Sequence, residues 1–220
     1  MTDPTWLDEG LKHIWLPYVQ MKTAPRPAAV KATYGTRIVL HDGRELVDGI
    51  SSWWTAVHGY NHPWLLEAVR RQLETMPHVM LGGLAHEQPY RLASRLAEML
   101  PGDLSKVFFC ESGSVAVEVA LKIAVQYWRN TTGAVRPKFL AFRGGYHGDT
   151  FAAMSVCDPE DSMHALFGPA LPSQYIASLP TDEARAGELD DLLSLAEHGI
   201  AEILEAQLKV LATPPIPRSK

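Results

Sequence analysis

The sequence predicts an α/β fold: a small α+β lobe at the N-terminus, then a larger domain whose sheet is incomplete. Three observations carry this. Lys106-Val-Phe-Phe-Cys110 is a short, almost wholly apolar run of the kind found in buried parallel strands. It is followed by a Ser-Gly-Ser turn, a helical stretch to about Trp128 and a second apolar run, Lys138–Phe142, which together read as one βαβ unit. After Phe142 only one further weak strand is legible, near Ser173–Ile176, whereas an open α/β sheet usually has more.

The elements follow in order. Residues 1–30 mix aromatics with prolines and read as an irregular arm with one short helix. The next segment, AAVKATYGTRIVLHDGRELVDGI, predicts two or three short strands with turns at Tyr34-Gly35 and Asp42-Gly43. Leu65, Leu66, Val69 and Leu73 place a helix over 63–77, and Tyr90, Leu92, Leu96 and Leu100 another over 87–100, ending at Pro101-Gly102. The domain boundary is therefore set between 1–102 and 103–220. Glu188–Ala212 reads as a single long amphipathic helix.

Composition narrows the function classes. The 220 residues are 46% hydrophobic, enough for a sizeable core, and the net charge of -5 leaves no electrostatic footprint for nucleic acid. No apolar stretch approaches the length of a spanning helix, and the acidic start MTDPTWLDEG lacks a signal core, so the expected location is cytoplasmic, away from membranes. Cys110 and Cys157 match no metal spacing and read as thiols, and the nine histidines form no zinc motif; no metal is expected.

Three segments can carry chemistry. In Glu111-Ser-Gly-Ser114, helix-entry N–H groups lack internal partners, Gly113 permits close approach and Ser112 or Ser114 offers a hydroxyl. That turn is a phosphate cradle or an ordinary capped helix start. Arg143-Gly-Gly-Tyr-His-Gly-Asp149 follows a strand, where ligands of open α/β sheets bind. Tyr146 there stacks on a flat cofactor or fills core, while His147 and Asp149 tune the cofactor or are solvated. In Ser51-Ser-Trp-Trp-Thr-Ala-Val-His-Gly-Tyr-Asn-His62, adjacent Trp53 and Trp54 cannot both bury on one face of a strand. One of them meets a ligand, a partner or another lobe, or the pair belongs to an aromatic cluster, and Tyr18 of the arm belongs with the same question.

Taken together, DGISSWWTAVHGYNHP, HVMLGGLAHE, ESGSVAVEVALKIAVQYW and GGYHGDTFAAMSVCDP resemble the adenosylmethionine–8-amino-7-oxononanoate aminotransferases, a branch of the class-III, pyridoxal-phosphate-dependent aminotransferases. The likeness runs from about His13 to Pro159. The Gly-Ser turn and G-G-Y-H-G are shared across class III, while Trp53-Trp54 with the Tyr18 arm is more selective. The resemblance implies the front half of a fold-type-I transferase with pyridoxal 5'-phosphate (PLP) as cofactor, normally a homodimer with active sites at the subunit interface. It implies that Gly113 and Ser114 bind the cofactor phosphate and that Tyr146 stacks on its pyridine ring. Tyr18, Trp53 and Trp54 would shape the substrate pocket, with Asp149 near it. The implied reaction is ping-pong transamination in biotin synthesis, from S-adenosylmethionine to 8-amino-7-oxononanoate, giving 7,8-diaminononanoate.

The departures carry their own expectations. The family's aspartate on the pyridine nitrogen, its Schiff-base lysine and its substrate-carboxylate arginine lie downstream of the matched region. None of the eight lysines sits in the small-residue, glycine-rich loop that such a lysine needs, so no catalytic residue is assigned. From about residue 196 the chain diverges, with IAEILEAQLKVLATPPIPRSK in place of the family's next strand and loop; a truncation or frameshift is expected, and activity of this chain alone is in question. Two other readings stay open. One is a class-III aminotransferase acting on omega-amino acids; the other is a non-catalytic subunit that retains the front half of the fold.

Overall fold

A computed structural model describes residues 4–102, 104–160 and 163–181, with Glu183, Ala186, Gly187 and Leu189. The predicted helix over Glu188–Ala212 lies, apart from Leu189, outside the described residues. The chain separates into two compact units, Met1–Ser94 and Arg95–Lys220.

The first unit opens with α1 (Thr5–Gly10) and continues as a three-stranded antiparallel meander, β1 (Val30–Tyr34), β2 (Arg37–Leu40) and β3 (Glu45–Val47). Tyr34 pairs with Arg37 across the first turn, where Gly35 takes a positive φ of 49°. The second turn forms at Asp42-Gly43 as predicted: the Asp42 carboxylate accepts from the Arg44 N–H at 3.0 Å and from its guanidinium at 2.7 Å. Leu7, Ala29 and Leu40 are the buried apolar residues here. Two helices follow in the chain, α2 (Pro63–Thr75) and α3 (Glu87–Met99), close to the spans that their periodicity predicts; the division into units falls within α3, after Ser94. The apolar face of α2, Leu65, Leu66, Val69 and Leu73, is exposed among the described residues.

The second unit is built on α4 (Gly113–Thr132), β4 (Leu140–Phe142), α5 (Phe151–Ser155), a 3-10 helix (Ala165–Ala170) and β5 (Tyr175–Ala177). α4 has good signals at both ends. The Ser112 side chain accepts from the Val115 N–H at 3.2 Å, and Gly133 closes the helix in the left-handed region at φ 75°, donating its N–H to Arg129. Near its end Trp128 is buried, with the Arg136 guanidinium 3.6 Å from the ring centroid. β4 and β5 pair in parallel with Leu140 opposite Tyr175 and Phe142 opposite Ala177, and Leu140, Ala177 and Leu189 form a core that Phe142 and Tyr175 pack against.

One predicted strand does not form. Residues 104–110 are irregular, and Phe108 is 70% exposed. A central strand needs neighbours for its N–H and C=O groups, and among the described residues β4 pairs with β5 alone. The apolar character of Lys106–Cys110 is real, but the ladder it would join is not supplied here. No helix among the described residues is long and apolar enough to cross a membrane.

Candidate functional site

The start of α4 and the loop after β4 meet. The loop leaves the carboxyl end of β4 at Arg143, whose N–H donates to Ala177 of β5 at 2.8 Å. It is then bent back on itself by Asp158. One oxygen of this buried carboxylate accepts from the Gly144 N–H at 2.6 Å, the other accepts from Glu160, and the Asp158 N–H donates to Gly145. Cys157, buried beneath the loop, accepts from the His147 N–H through Sγ at 3.2 Å and donates to the Ala153 carbonyl at 3.3 Å.

Gly148 and Asp149 of the loop meet α4 at Ser114. The Asp149 N–H donates to Ser114 Oγ at 3.0 Å. Gly148 allows this: a Cβ on it would lie 2.4 Å from Ser114 Oγ and 2.7 Å from Ser114 Cα, and its φ is +126°. Because Ser114 Oγ accepts from Asp149, its single O–H stays available to donate elsewhere. The N–H groups of Gly113 and Ser114 have no carbonyl within the helix to bond, and a Cβ on Gly113 would meet nothing within 4 Å. The 20-residue α4 adds its positive end at the same point. Two N–H groups, a hydroxyl and a helix terminus are therefore grouped at one point, the donor set that an anionic oxygen requires.

Tyr146 stands beside this cradle, 60% exposed, and its hydroxyl donates to Asp149 Oδ2 at 3.0 Å. Of the residues singled out in the sequence, Gly113, Ser114, Tyr146 and Asp149 are thus brought together. His147 is not directed by its ring into this network; its backbone takes the Cys157 contact. Tyr18 and Trp53 meet in the other unit, edge to face, with ring centroids 5.3 Å apart. Trp54 is 87% exposed and outside that pair. Ser51, Ser52, Trp53 and Trp54 all have positive φ, from 44° to 77°, so the segment is a left-handed turn and not a strand. Asp48 braces it. Its carboxylate accepts from the Tyr60 hydroxyl at 2.5 Å and from the Ser52 hydroxyl at 2.9 Å. The bond from Tyr60 holds the Asp48 carboxyl below its ordinary value, and the same bond holds the Tyr60 phenol above its own.

Two positions escaped sequence reasoning. Glu118, one turn into α4, accepts from the Ala152 and Ala153 N–H groups at 2.8 and 3.1 Å and so caps α5. Burial pushes its carboxyl up, but the nearby Thr150 hydroxyl, those two N–H groups and the Lys122 charge bring the net value below the ordinary one. A capping-box reading places the acid on the helix it caps; here it caps a different one, 34 residues away, so no local pattern reveals it. His164 is the second. Its Nε2 lies 2.8 Å from Asp149 Oδ1, and its ring stacks on Tyr146 at 5.9 Å and 23°.

A family profile described as Aminotransferase class-III matches residues 18–213, beyond the motif-level likeness that ends near Pro159. A protein named adenosylmethionine-8-amino-7-oxononanoate aminotransferase from Buchnera aphidicola subsp. Baizongia pistaciae is 44% identical over 169 residues, which are 77% of this chain and 39% of that protein. One of the same name from Synechococcus elongatus is 51% identical over 144 residues, 66% of this chain and 34% of its own. Among solved structures, the enzyme of that name from Methanocaldococcus jannaschii superposes with a TM-score of 0.77 at 32% identity, over 86% of this chain and 43% of its own. The omega transaminase from Pseudomonas jessenii in complex with PMP gives 0.73 at 25% identity, over 89% and 46%. The chain spans about two fifths of the length of the relatives it matches.

Proposed function

The chain belongs to the class-III aminotransferases, and on that premise we propose that it supplies the phosphate and ring contacts for PLP in an enzyme that transaminates 8-amino-7-oxononanoate with S-adenosylmethionine as donor. Class-III aminotransferases are PLP-dependent. The residues present fit the cofactor on an observation of the site itself: a Cβ on Gly113 would meet nothing within 4 Å, two helix-entry N–H groups lack an intrahelical acceptor, and Ser114 keeps a proton to donate beside them. When bound, PLP supplies the electron sink that amino transfer needs.

The Gly113 and Ser114 N–H groups and the Ser114 hydroxyl hold the phosphate and fix its position. Tyr146 offers a flat face to the pyridine ring, and Asp149 holds the Tyr146 hydroxyl so that the ring cannot swing. Tyr18 and Trp53, locked edge to face, shape an aromatic wall for the organic substrate. The whole protein is read as a cytoplasmic homodimer with 7,8-diaminononanoate as product, within biotin synthesis.

The observation that carries the proposal is the Ser114–Asp149–Tyr146 chain of hydrogen bonds, which joins cradle and stacking ring in one rigid piece. Identities of 44% and 51% to proteins named for this reaction favour it over the omega-amino acid reading, whose structural neighbour stands at 25%. A chimera tests it. Residues 18–159 of this chain replace the matching segment of the full-length Synechococcus relative, and amino-donor preference is measured. Diaminononanoate formed with S-adenosylmethionine is the expected result; amino transfer from omega-amino acids alone contradicts it.

A further inference from the structure

Asp149 is held on three sides. Its N–H donates to Ser114 Oγ, its Oδ2 accepts from Tyr146, and its Oδ1 faces His164 Nε2 at 2.8 Å. A carboxylate only accepts, so Nε2 carries the proton and donates. The exposures are lopsided: the His164 side chain is 6% exposed, that of Asp149 47%. The imidazole is therefore a fixed post and the carboxylate the group it steadies. The post itself is set by the backbone, because the His164 carbonyl accepts from the Phe167 N–H at 2.8 Å at the entry of the 3-10 helix. The same imidazole lies along one side of the Tyr146 ring, 23° from parallel, while the tyrosine remains 60% exposed.

We infer that His164 is a positioning residue for the cofactor ring: it donates to Asp149, which in turn fixes the Tyr146 hydroxyl, and it backs one face of the tyrosine so that a pyridine ring is received on the other. This rests on the PLP reading above. It assigns to His164 two separable contributions: a hydrogen bond that controls the hydroxyl of the stacking ring and carries most of the effect, and a flat surface that adds less than about twofold. A residue that only filled core would contribute neither to ligand geometry.

The test uses the chain with 4'-deoxypyridoxine 5'-phosphate, which lacks the aldehyde and so reports phosphate and ring contacts without any lysine. Three variants separate the contributions. His164→Gln keeps a donor near the Nε2 position, His164→Phe keeps a ring without a donor, and His164→Asn has a donor too short to reach Asp149. Analogue affinity is expected to stay within about twofold for His164→Gln and to fall about five- to tenfold for His164→Phe and His164→Asn. Inorganic phosphate, read out on the Gly113 and Ser114 amide resonances, is expected to bind all four proteins alike. Asparagine covers the case in which the phenylalanine variant does not fold. Equal weakening by glutamine and asparagine, or a matching loss of phosphate binding, overturns the inference. If the parent chain holds phosphate but not the analogue, the cofactor reading fails, and the ring resonances of 13C-labelled Tyr146 then decide the role of His164. Resonances shifted in His164→Asn and restored in His164→Gln uphold the positioning role; resonances unmoved in both overturn it.

Discussion

Ser114 and Asp149 are 35 residues apart in the chain and joined by one hydrogen bond of 3.0 Å, from the Asp149 N–H to Ser114 Oγ. That bond fixes the loop after β4 to the entry of α4, and it leaves the serine's proton available to donate to another group. The α4 entry proposed as an anion cradle and Tyr146 are consequently one unit, and substitutions that part them should be felt in both.

Gly148→Ala is the sharpest such substitution. The new Cβ would sit 2.4 Å from Ser114 Oγ at a φ of +126°, so the loop must lift from α4. Urea unfolding is expected to show a loss of about 1–3 kcal/mol. Gly168→Ala, where nothing lies within 4 Å, should change stability by less than about 0.5 kcal/mol.

Removing the cap of α4 should be milder. Ser112→Ala deletes the acceptor for the Val115 N–H and is expected to cost about 1 kcal/mol, with Ser112→Asp recovering most of it. Since aspartate places negative charge at the cradle, the same variant should weaken phosphate binding while restoring stability, which binding and unfolding measured side by side will show.

Glu118 makes stability depend on pH. Its folded-state carboxyl lies below the ordinary value, so the stabilisation is present above the unfolded-state value and is lost as pH falls through the folded one. Glu118→Gln should therefore be less stable than the parent at about pH 7, and the gap should narrow and close as pH falls through the folded-state value. The group is half-buried, and partial screening by solvent scales the difference to about 1 kcal/mol or less. A gap independent of pH would contradict this.

Tyr60 offers a spectroscopic check on the first unit. Its phenol is held above the ordinary value by donation to Asp48, so its neutral form is favoured until pH rises past the shifted value. In Asp48→Asn the acceptor loses its charge, and the phenolate absorbance of Tyr60 should appear at lower pH. Tryptophan emission should change in the same variant, because Asp48 also holds Ser52 beside Trp53.

Local pattern made much of this legible. The Asp42-Gly43 turn, the apolar spacing of α2 and α3 and the capped start of α4 are all properties of a few neighbouring residues. So were Gly113, Ser114, Tyr146 and Asp149, which lie in two short motifs at the expected ends of elements. What escaped depends on contacts between distant segments. Lys106–Cys110 carries the composition of a strand but lacks a ladder among the described residues. Glu118 caps a helix that it does not belong to, and His164 acts through Asp149, 15 residues away, from a segment with no motif of its own. The left-handed turn at Ser51–Trp54 was also hidden, since residues without glycine seldom take that conformation and here depend on Asp48.

The most direct measurement is an amide chemical-shift titration of the 15N-labelled chain with PLP. Shifts confined to Gly113, Ser114 and the Gly145–Asp149 loop, with inorganic phosphate moving Gly113 and Ser114 alone, are the expected result. Shifts centred elsewhere, or none at concentrations that saturate a full-length relative, would contradict the assignment of the cofactor site to these residues.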